Sequence, residues 1–387
     1  MADRRGTPIP FTGCNECATI AHMVEELSWA QIGERVRESR SVAGLSQQAL
    51  ADAVGLERSM ISKLEKGDRR VDAVELTLLA RALDYPLSFF LNPLPDVISR
   101  RTADVHGGDV GDSPAARSAH RTESLLAEWL QDVHQLVSVG VLDALPLLHY
   151  PGSVTVAEEA REAAQWLRAE LSLGNRPIES VADVSEQAGQ FVAAIPLSSD
   201  GASLVDGSIA VAVVNLDQVP GRRRSTAAHE LGHMILGDEF SSDLGVHASR
   251  EERERLVEEF AAEFLLPTAE AMSVAQGNDQ EERRYFLVRL SAAFRVSWGL
   301  AIAQVRRTGL MDPDELRELR TRTPTDVEFK DALGWKPQPD LASVRVPPRY
   351  ASAVVAALQA NLITPARAVE MMRGQVSTEE LTEEAAE

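Results

Sequence analysis

Histidines 229 and 233 stand four residues apart in His229-Glu230-Leu231-Gly232-His233. On a helix, positions i and i+4 share a face, so both imidazoles can address one cation while Glu230, one step round, holds a water. Zinc suits such a donor set, with two neutral nitrogens, one further carboxylate and an open position for water. The metal lowers the pKa of that water to about 7, and Glu230 takes its proton during attack on a carbonyl. The same five residues also fit a plain surface helix, so their surroundings decide between the two readings.

The chain has 387 residues and a formal net charge of −20. That length predicts two or three domains. The charge opposes non-specific nucleic-acid binding by the whole molecule, so any DNA contact must come from a local surface. No apolar run approaches the ~20 residues a membrane helix needs. The opening Met1-Ala2-Asp3-Arg4-Arg5 lacks the apolar core of a signal peptide. Secretion and membrane insertion are therefore not expected. Cys14 and Cys17 are the two cysteines, which excludes a disulfide framework and fits a reducing cytoplasm. With His22 they could supply three zinc ligands; the alternative is a reduced, partly ordered N-terminal arm over residues 1–28.

From residue 29 to 91 the pattern is helical. Ile32 and Val36 share a face, and Ala43-Gly44 closes the first helix. Ser46 is a good N-cap for Gln47 to Val54, and Gly55 provides a turn. A third helix runs from about Glu57 to Lys66, stopped by Gly67, and a fourth from Asp72 to Leu83. Two short helices joined at a glycine, with Ala49, Val54, Leu56, Ile61 and Leu64 available for a core, make a helix-turn-helix. The runs Gly44-Leu45-Ser46-Gln47, Val54-Gly55-Leu56 and Ile61-Ser62-Lys63-Leu64-Glu65-Lys66-Gly67 resemble the Cro/C1-type (XRE) repressors. The resemblance implies that the third helix enters the major groove of an operator in double-stranded DNA. Gln47, Gln48, Arg58, Ser59, Ser62 and Lys63 are then the candidates for phosphate and base contacts. It also implies a homodimer on two-fold half-sites. Between Ala30 and Leu91, nine Lys/Arg balance nine Asp/Glu, so the acidity lies elsewhere. A helical protein-interaction module is the alternative.

Residues 92–118, with Pro93, Pro95 and Gly107-Gly108, read as a linker. Helical patterning resumes through Trp129 and Val133, and again from about Val156 to Leu171. Strands are expected at Gln190–Ile195 and Ser208–Asn215, with Gly201 and Gly207 flanking a turn region between them. The predicted architecture is mainly α with a small β-sheet (α+β), an N-terminal all-α domain preceding a zincin-like domain. An edge strand beside the site could pair with an extended peptide. His134 and His149 are isolated and read as packing or surface residues.

After His233 a loop carries His247, which reads as a non-ligand. A charged helix follows from about Arg250 to Leu266, where a third ligand should lie. Glu254 and Glu258 share one face of it, while Glu251, Glu252, Glu259 and Glu263 suggest a solvated face. Thr226-x-Ala228-His229-Glu230-Leu231-Gly232-His233, followed by Glu254-x-x-x-Glu258-x-Phe260-Ala261-Ala262-Glu263-x-Leu265-Leu266-Pro267, looks like the ImmA/IrrE metallopeptidases. The likeness covers about residues 150–311. It implies a zinc or manganese site held by His229, His233 and a downstream glutamate, with Glu230 as base. Glu254 matches the ligand position. Glu258 replaces the asparagine usual there, which leaves either carboxylate open as the ligand, Glu254 being favoured. The domain is expected to span 119–311. A small C-terminal helical module is expected at 312–376, and an acidic tail at 377–387.

The expectation is a cytoplasmic, DNA-binding transcriptional regulator with a zinc-dependent endopeptidase domain that cleaves a protein partner such as a repressor. The alternative is a non-proteolytic transcription factor, or an antitoxin or stress- or phage-response component, whose peptidase-like fold senses a ligand or partner.

Overall fold

A computed structural model describes residues 28–83, 85, 87–91, 99–101, 114–237, 250–335 and 337–380. Cys14, Cys17, His22 and His247, with residues 381–387 of the acidic tail, lie outside the described residues.

The N-terminal domain is five helices: α1 (Trp29–Val42), α2 (Gln47–Val54), α3 (Arg58–Glu65), α4 (Ala73–Leu83) and α5 (Leu87–Leu91). Ser46 caps α2 by accepting from the Ala49 amide at 3.0 Å. Gly55, at φ 72°, makes the turn into α3 in a backbone conformation that disfavours side chains. Ile32, Val36, Leu50, Val54, Ile61, Leu64, Leu79 and Phe90 form one core. Inside it, α1 crosses α3 so closely that a Cβ on Gly33 would sit 2.1 Å from the Leu64 carbonyl oxygen.

The rest is a mixed sheet between two helical layers. A short strand β1 (Ser99–Arg101) is followed by α6 (Pro114–Ser138), α7 (Ala157–Glu170) and α8 (Val181–Gln187). Then come β2 (Gln190–Ile195), β3 (Gly201–Asp206) and β4 (Ile209–Asn215), and the long helices α9 (Pro220–Leu236) and α10 (Arg250–Leu265). The chain continues through α11 (Thr268–Ala271), a 3-10 turn (Met272–Gln276), α12 (Gln280–Phe294), α13 (Trp298–Arg307), α14 (Pro313–Thr321), α15 (Asp326–Leu333), α16 (Pro348–Gln359) and α17 (Pro365–Met371). The strand order is β1-β3-β4-β2. β2 runs parallel to β4, β3 antiparallel to β4, and β1 antiparallel to β3.

Side chains alternate across a strand, so one strand feeds two cores. Val192, Ala194, Ala210, Ala212 and Val214 pack with α7, α9, α10, α12 and α13. Phe191, Ala193, Val211 and Val213 pack on the other face with α6, α16 and α17. There Trp129 donates its indole N–H to the Phe191 carbonyl at 2.9 Å and lies 4.4 Å from the Tyr350 ring.

Three expectations need correction. The stretch between Gly201 and Gly207 is a strand. Asp206-Gly207 turns it into β4, Gly207 having φ 59°. The 92–118 segment is not wholly a linker, because residues 99–101 pair with β3 and α6 starts at Pro114. Residues 312–376 are no separate module: Leu316, Leu319 and Leu341 join the first core, and Tyr350, Val354 and Met371 the second. An apolar sheet buried on both faces requires cover on both, and α16 and α17 supply it on the second.

The two parts of the molecule touch. Tyr85 Oη and His120 Nδ1, on α6, are 2.9 Å apart. His120 Nε2 lies 3.6 Å from the Glu38 carboxylate on α1.

Candidate metal centre and nucleic-acid interface

The helix α9 starts with Pro220 in its first turn and ends at Gly237, φ 70°. Its interior carries His229, Glu230 and His233, which are 1%, 0% and 4% exposed. Burial of three ionisable groups within one stretch of helix is costly unless each is paired or bound to a cation. The two Nε2 atoms stand 3.1 Å apart. Glu254 Oε2, from α10, lies 3.1 Å from His229 Nε2 and 3.7 Å from His233 Nε2. A tetrahedral zinc with bonds of about 2.1 Å holds its ligand atoms about 3.4 Å from one another. The three observed separations bracket that value, and the donors are those that zinc takes. Among the described residues, this trio is the group of His, Cys, Asp and Glu side chains close enough to share an ion.

The carboxyl of Glu254 titrates well below the usual range. Partial burial works against this, but hydrogen bonds and charge from His229 and His233 outweigh it. Glu258, one turn along α10, is exposed and stands outside the trio. The geometry therefore separates two carboxylates that the sequence left as alternatives. The solvated face expected on α10 is only partly there. Glu259 joins Arg161 and Arg307. Glu263 is 1% exposed and accepts from the Thr268 amide and hydroxyl at 3.1 and 2.6 Å. Both face α7 and α13, Glu263 fully buried and Glu259 half-buried.

Two glycines bring the elements of the site together. A Cβ on Gly232 would meet Phe260 Cδ1 at 2.9 Å and Val257 Cγ1 at 3.0 Å. The bare backbone there lets α10 approach α9 and deliver Glu254. Gly232→Ala gains about 1 kcal/mol of helix propensity. It forces two rigid, buried side chains aside at about 1–3 kcal/mol. The variant is expected to be less stable by thermal unfolding and to bind zinc at least tenfold more weakly in a competition titration. Unchanged affinity would dissociate the helix approach from the site. Gly201 plays the matching part on the sheet side, since a Cβ there would meet Thr226 Cγ2 at 2.6 Å and the Val213 carbonyl oxygen at 2.9 Å.

Glu230 faces β3. Its Oε2 accepts from the Ser203 hydroxyl at 2.7 Å, while Oε1 has no hydrogen-bond partner among the described residues. Its own carbonyl accepts from Gln190 Nε2 at 3.0 Å. Ser203 was missed in the sequence because its strand was read as a turn region. The signal was present: Ala202 and Leu204 alternate with Ser203 and Val205, and Asp-Gly before an apolar run marks a hairpin. His149 donates from Nδ1 to the Met234 carbonyl at 2.9 Å, and His134 pairs with Asp206. Neither joins the trio.

In the N-terminal domain, Gln47, Arg58, Ser59 and Ser62 line one surface depression between the start of α2 and α3, together with Glu57. Gln48, Arg58, Ser59 and Lys63 are exposed, whereas Gln47 and Ser62 are half-buried. Gln47 donates to Glu65 at 2.8 Å, and Glu65 is also held by Arg40. This fixes the start of α2 against α3. Gln48 donates to Asp52 at 2.7 Å. Arg58 stands at the first position of α3. Arg58→Ala is expected to weaken binding to a selected operator about 5- to 150-fold, the range of about 1–3 kcal/mol for one base contact, and to leave metal content unchanged. A gel-shift titration reads the first and elemental analysis the second; equal affinity removes Arg58 from the interface.

Comparison with known proteins follows the same division. Residues 36–90 match a helix-turn-helix family, and residues 186–305 match the family described as the IrrE N-terminal-like domain. An "Uncharacterized HTH-type transcriptional regulator" of Sinorhizobium medicae is 38% identical over 64 residues, 16% of this chain and 46% of that protein. The control protein C.SmaI of Serratia marcescens is 40% identical over 53 residues, 14% of this chain and 63% of that protein. The chain thus spans about half the length of the curated relatives it matches. No solved structure matches. Among the described residues, no single helix is long and apolar enough to cross a membrane.

Proposed function

We propose that this chain, an XRE-type helix-turn-helix regulator carrying an IrrE N-terminal-like domain, is a zinc-dependent endopeptidase that cuts a protein partner such as a repressor. The observation that carries the reading is the convergence of His229, His233 and Glu254 at zinc-ligand separations, with Glu230 buried beside them. His229 and His233 would hold the metal through Nε2 and Glu254 through Oε2, with manganese as an alternative ion. Bound there, the ion supplies a Lewis acid that polarises a peptide carbonyl and lowers the pKa of water to about 7.

Glu230 takes the proton from the attacking water at Oε1, the carboxylate atom that Ser203 leaves unengaged. It then hands that proton to the departing amine. Ser203 positions this carboxylate through its hydrogen bond to Oε2 and does not itself touch the reacting atoms. The N-terminal domain places the molecule on an operator through phosphate and base contacts from Gln47, Gln48, Arg58, Ser59, Ser62 and Lys63, and the natural form is a homodimer in the cytoplasm.

The test compares protein termini, by mass spectrometry, in cells holding the intact chain or Glu230→Gln. New paired termini within a regulator, seen only with the intact chain, are expected. Identical termini would overturn the peptidase reading and leave a transcription factor whose peptidase-like fold senses a partner.

A further inference from the structure

β3 has two edges. One is hydrogen-bonded to β4 along its whole length, from Gly201 opposite Val214 to Asp206 opposite Ile209. The other faces β1, and the face of the sheet from which Ser203 and Gly201 project is the one that α9 covers. Ser203 of β3 holds Glu230, and Gly201 closes on Thr226 of α9. An extended peptide that added itself to this edge would run past Glu230, its backbone held by main-chain bonds that need no particular sequence. That position is taken. Ser99, Arg100 and Arg101 pair antiparallel with Ser203, Ala202 and Gly201, and β1 also lies against α9.

We propose that Ser99–Arg101 is a tethered occupant of the peptide-binding edge of β3, so that the chain blocks its own cleft until a second extended peptide displaces β1. The proposal rests on the peptidase reading for the purpose of the edge, but not for its occupancy. Three features support it. The occupant comes from the stretch that joins the DNA-binding domain to α6, whereas β2, β3 and β4 are consecutive in the chain. It is three residues long, at the lower limit for a strand, so few main-chain bonds hold it. Its register places Ser99 opposite Ser203, the residue in contact with Glu230. A tether gives such a segment an effective concentration in the millimolar range, enough to exclude a free peptide without a tight contact. The strand lies between α5 and α6 in the chain, and those helices meet where the Phe89 ring stands 5.3 Å from the His120 ring.

The experiment uses the full chain without added metal. The variant carries Ser99→Pro and Arg100→Pro together, which removes main-chain donors at adjacent positions, so one of them faces β3 whatever the bonding pattern. Amide hydrogen exchange is followed at residues 201–203. Binding is followed by fluorescence anisotropy of a labelled peptide with the sequence of residues 96–104. In the variant, exchange at 201–203 is expected to rise at least tenfold while that of β4 and α9 is unchanged. The peptide is expected to bind the variant at least tenfold more tightly than it binds the parent chain, and Arg100→Ala, which keeps every N–H, should behave as the parent does. Unchanged exchange at 201–203, or equal peptide affinity for variant and parent, would overturn the proposal. Should the double variant not fold, the parent alone decides: the β3 amides that point away from β4 must be protected, and free exchange there overturns it. If the zinc-loaded variant binds the peptide and cuts nothing, the edge assignment stands and the peptidase reading falls.

Discussion

Glu254→Ala is expected to lower zinc affinity by about a hundred- to a thousandfold. Structural zinc sites bind with about 10–16 kcal/mol from four ligands, or about 2.5–4 kcal/mol each. At 1.4 kcal/mol per factor of ten, one lost carboxylate gives that range. Glu254 is a third exposed, so its truncation opens no core cavity, and the loss can be read in a folded protein. Glu258→Ala provides the contrast. Its carboxylate is exposed and outside the trio, so its removal is expected to change affinity by less than about tenfold, below the usual upper range for residues that only support a ligand. Competition with a zinc-binding dye checks both, with circular dichroism as the control for folding. Equal losses in the two variants would assign the metal to the α10 face as a whole rather than to Glu254. A parent protein that takes up no zinc at all would end the metal reading.

Glu230→Gln is expected to abolish hydrolysis, with a fall of about 10²–10⁴ in turnover, while zinc content and operator affinity stay as they were. The argument is that the substitution preserves shape. An amide oxygen can still accept from Ser203, so the contact between β3 and α9 survives. What is lost is the capacity to take a proton at Oε1. Side-chain volume barely changes, so a buried position 0% exposed should tolerate it without a cavity. Undiminished cleavage by Glu230→Gln would remove Glu230 as the base. Loss of zinc together with loss of activity would show that the carboxylate acts through the architecture of the site instead.

Much of the site was legible because it is local. His229 and His233 share one face through helix geometry alone, on a helix that runs from Pro220 to Leu236 and ends at Gly237. The α2–Gly55–α3 turn was legible for the same reason, since an N-cap serine and a left-handed glycine act within a few residues. Ser203 was not legible as a partner of Glu230. Their contact spans 27 positions in the chain, and it needs the β3–β4 hairpin register before it exists. Glu263 read as one more surface charge on an acidic helix. It is buried because α7, α11 and α13 close over it, with Gln165, Thr268 and Gln304 each supplying a donor.

The sequence by itself determined two elements and the residue types that they present: a helix-turn-helix, and a helix that carries two imidazoles and a carboxylate. Those follow from spacing and capping, which are properties of neighbouring residues. The tertiary structure alone decided which carboxylate of α10 meets the histidines, because that depends on how closely Gly232 lets two helices approach. It also decided that the C-terminal helices cover the second face of the sheet, and that Ser99–Arg101 lies on the edge beside Glu230. Each of these is a long-range contact. A strand of three residues or an apolar helix carries no record of its partner; the partner is fixed only when the sheet presents a free edge and an uncovered face.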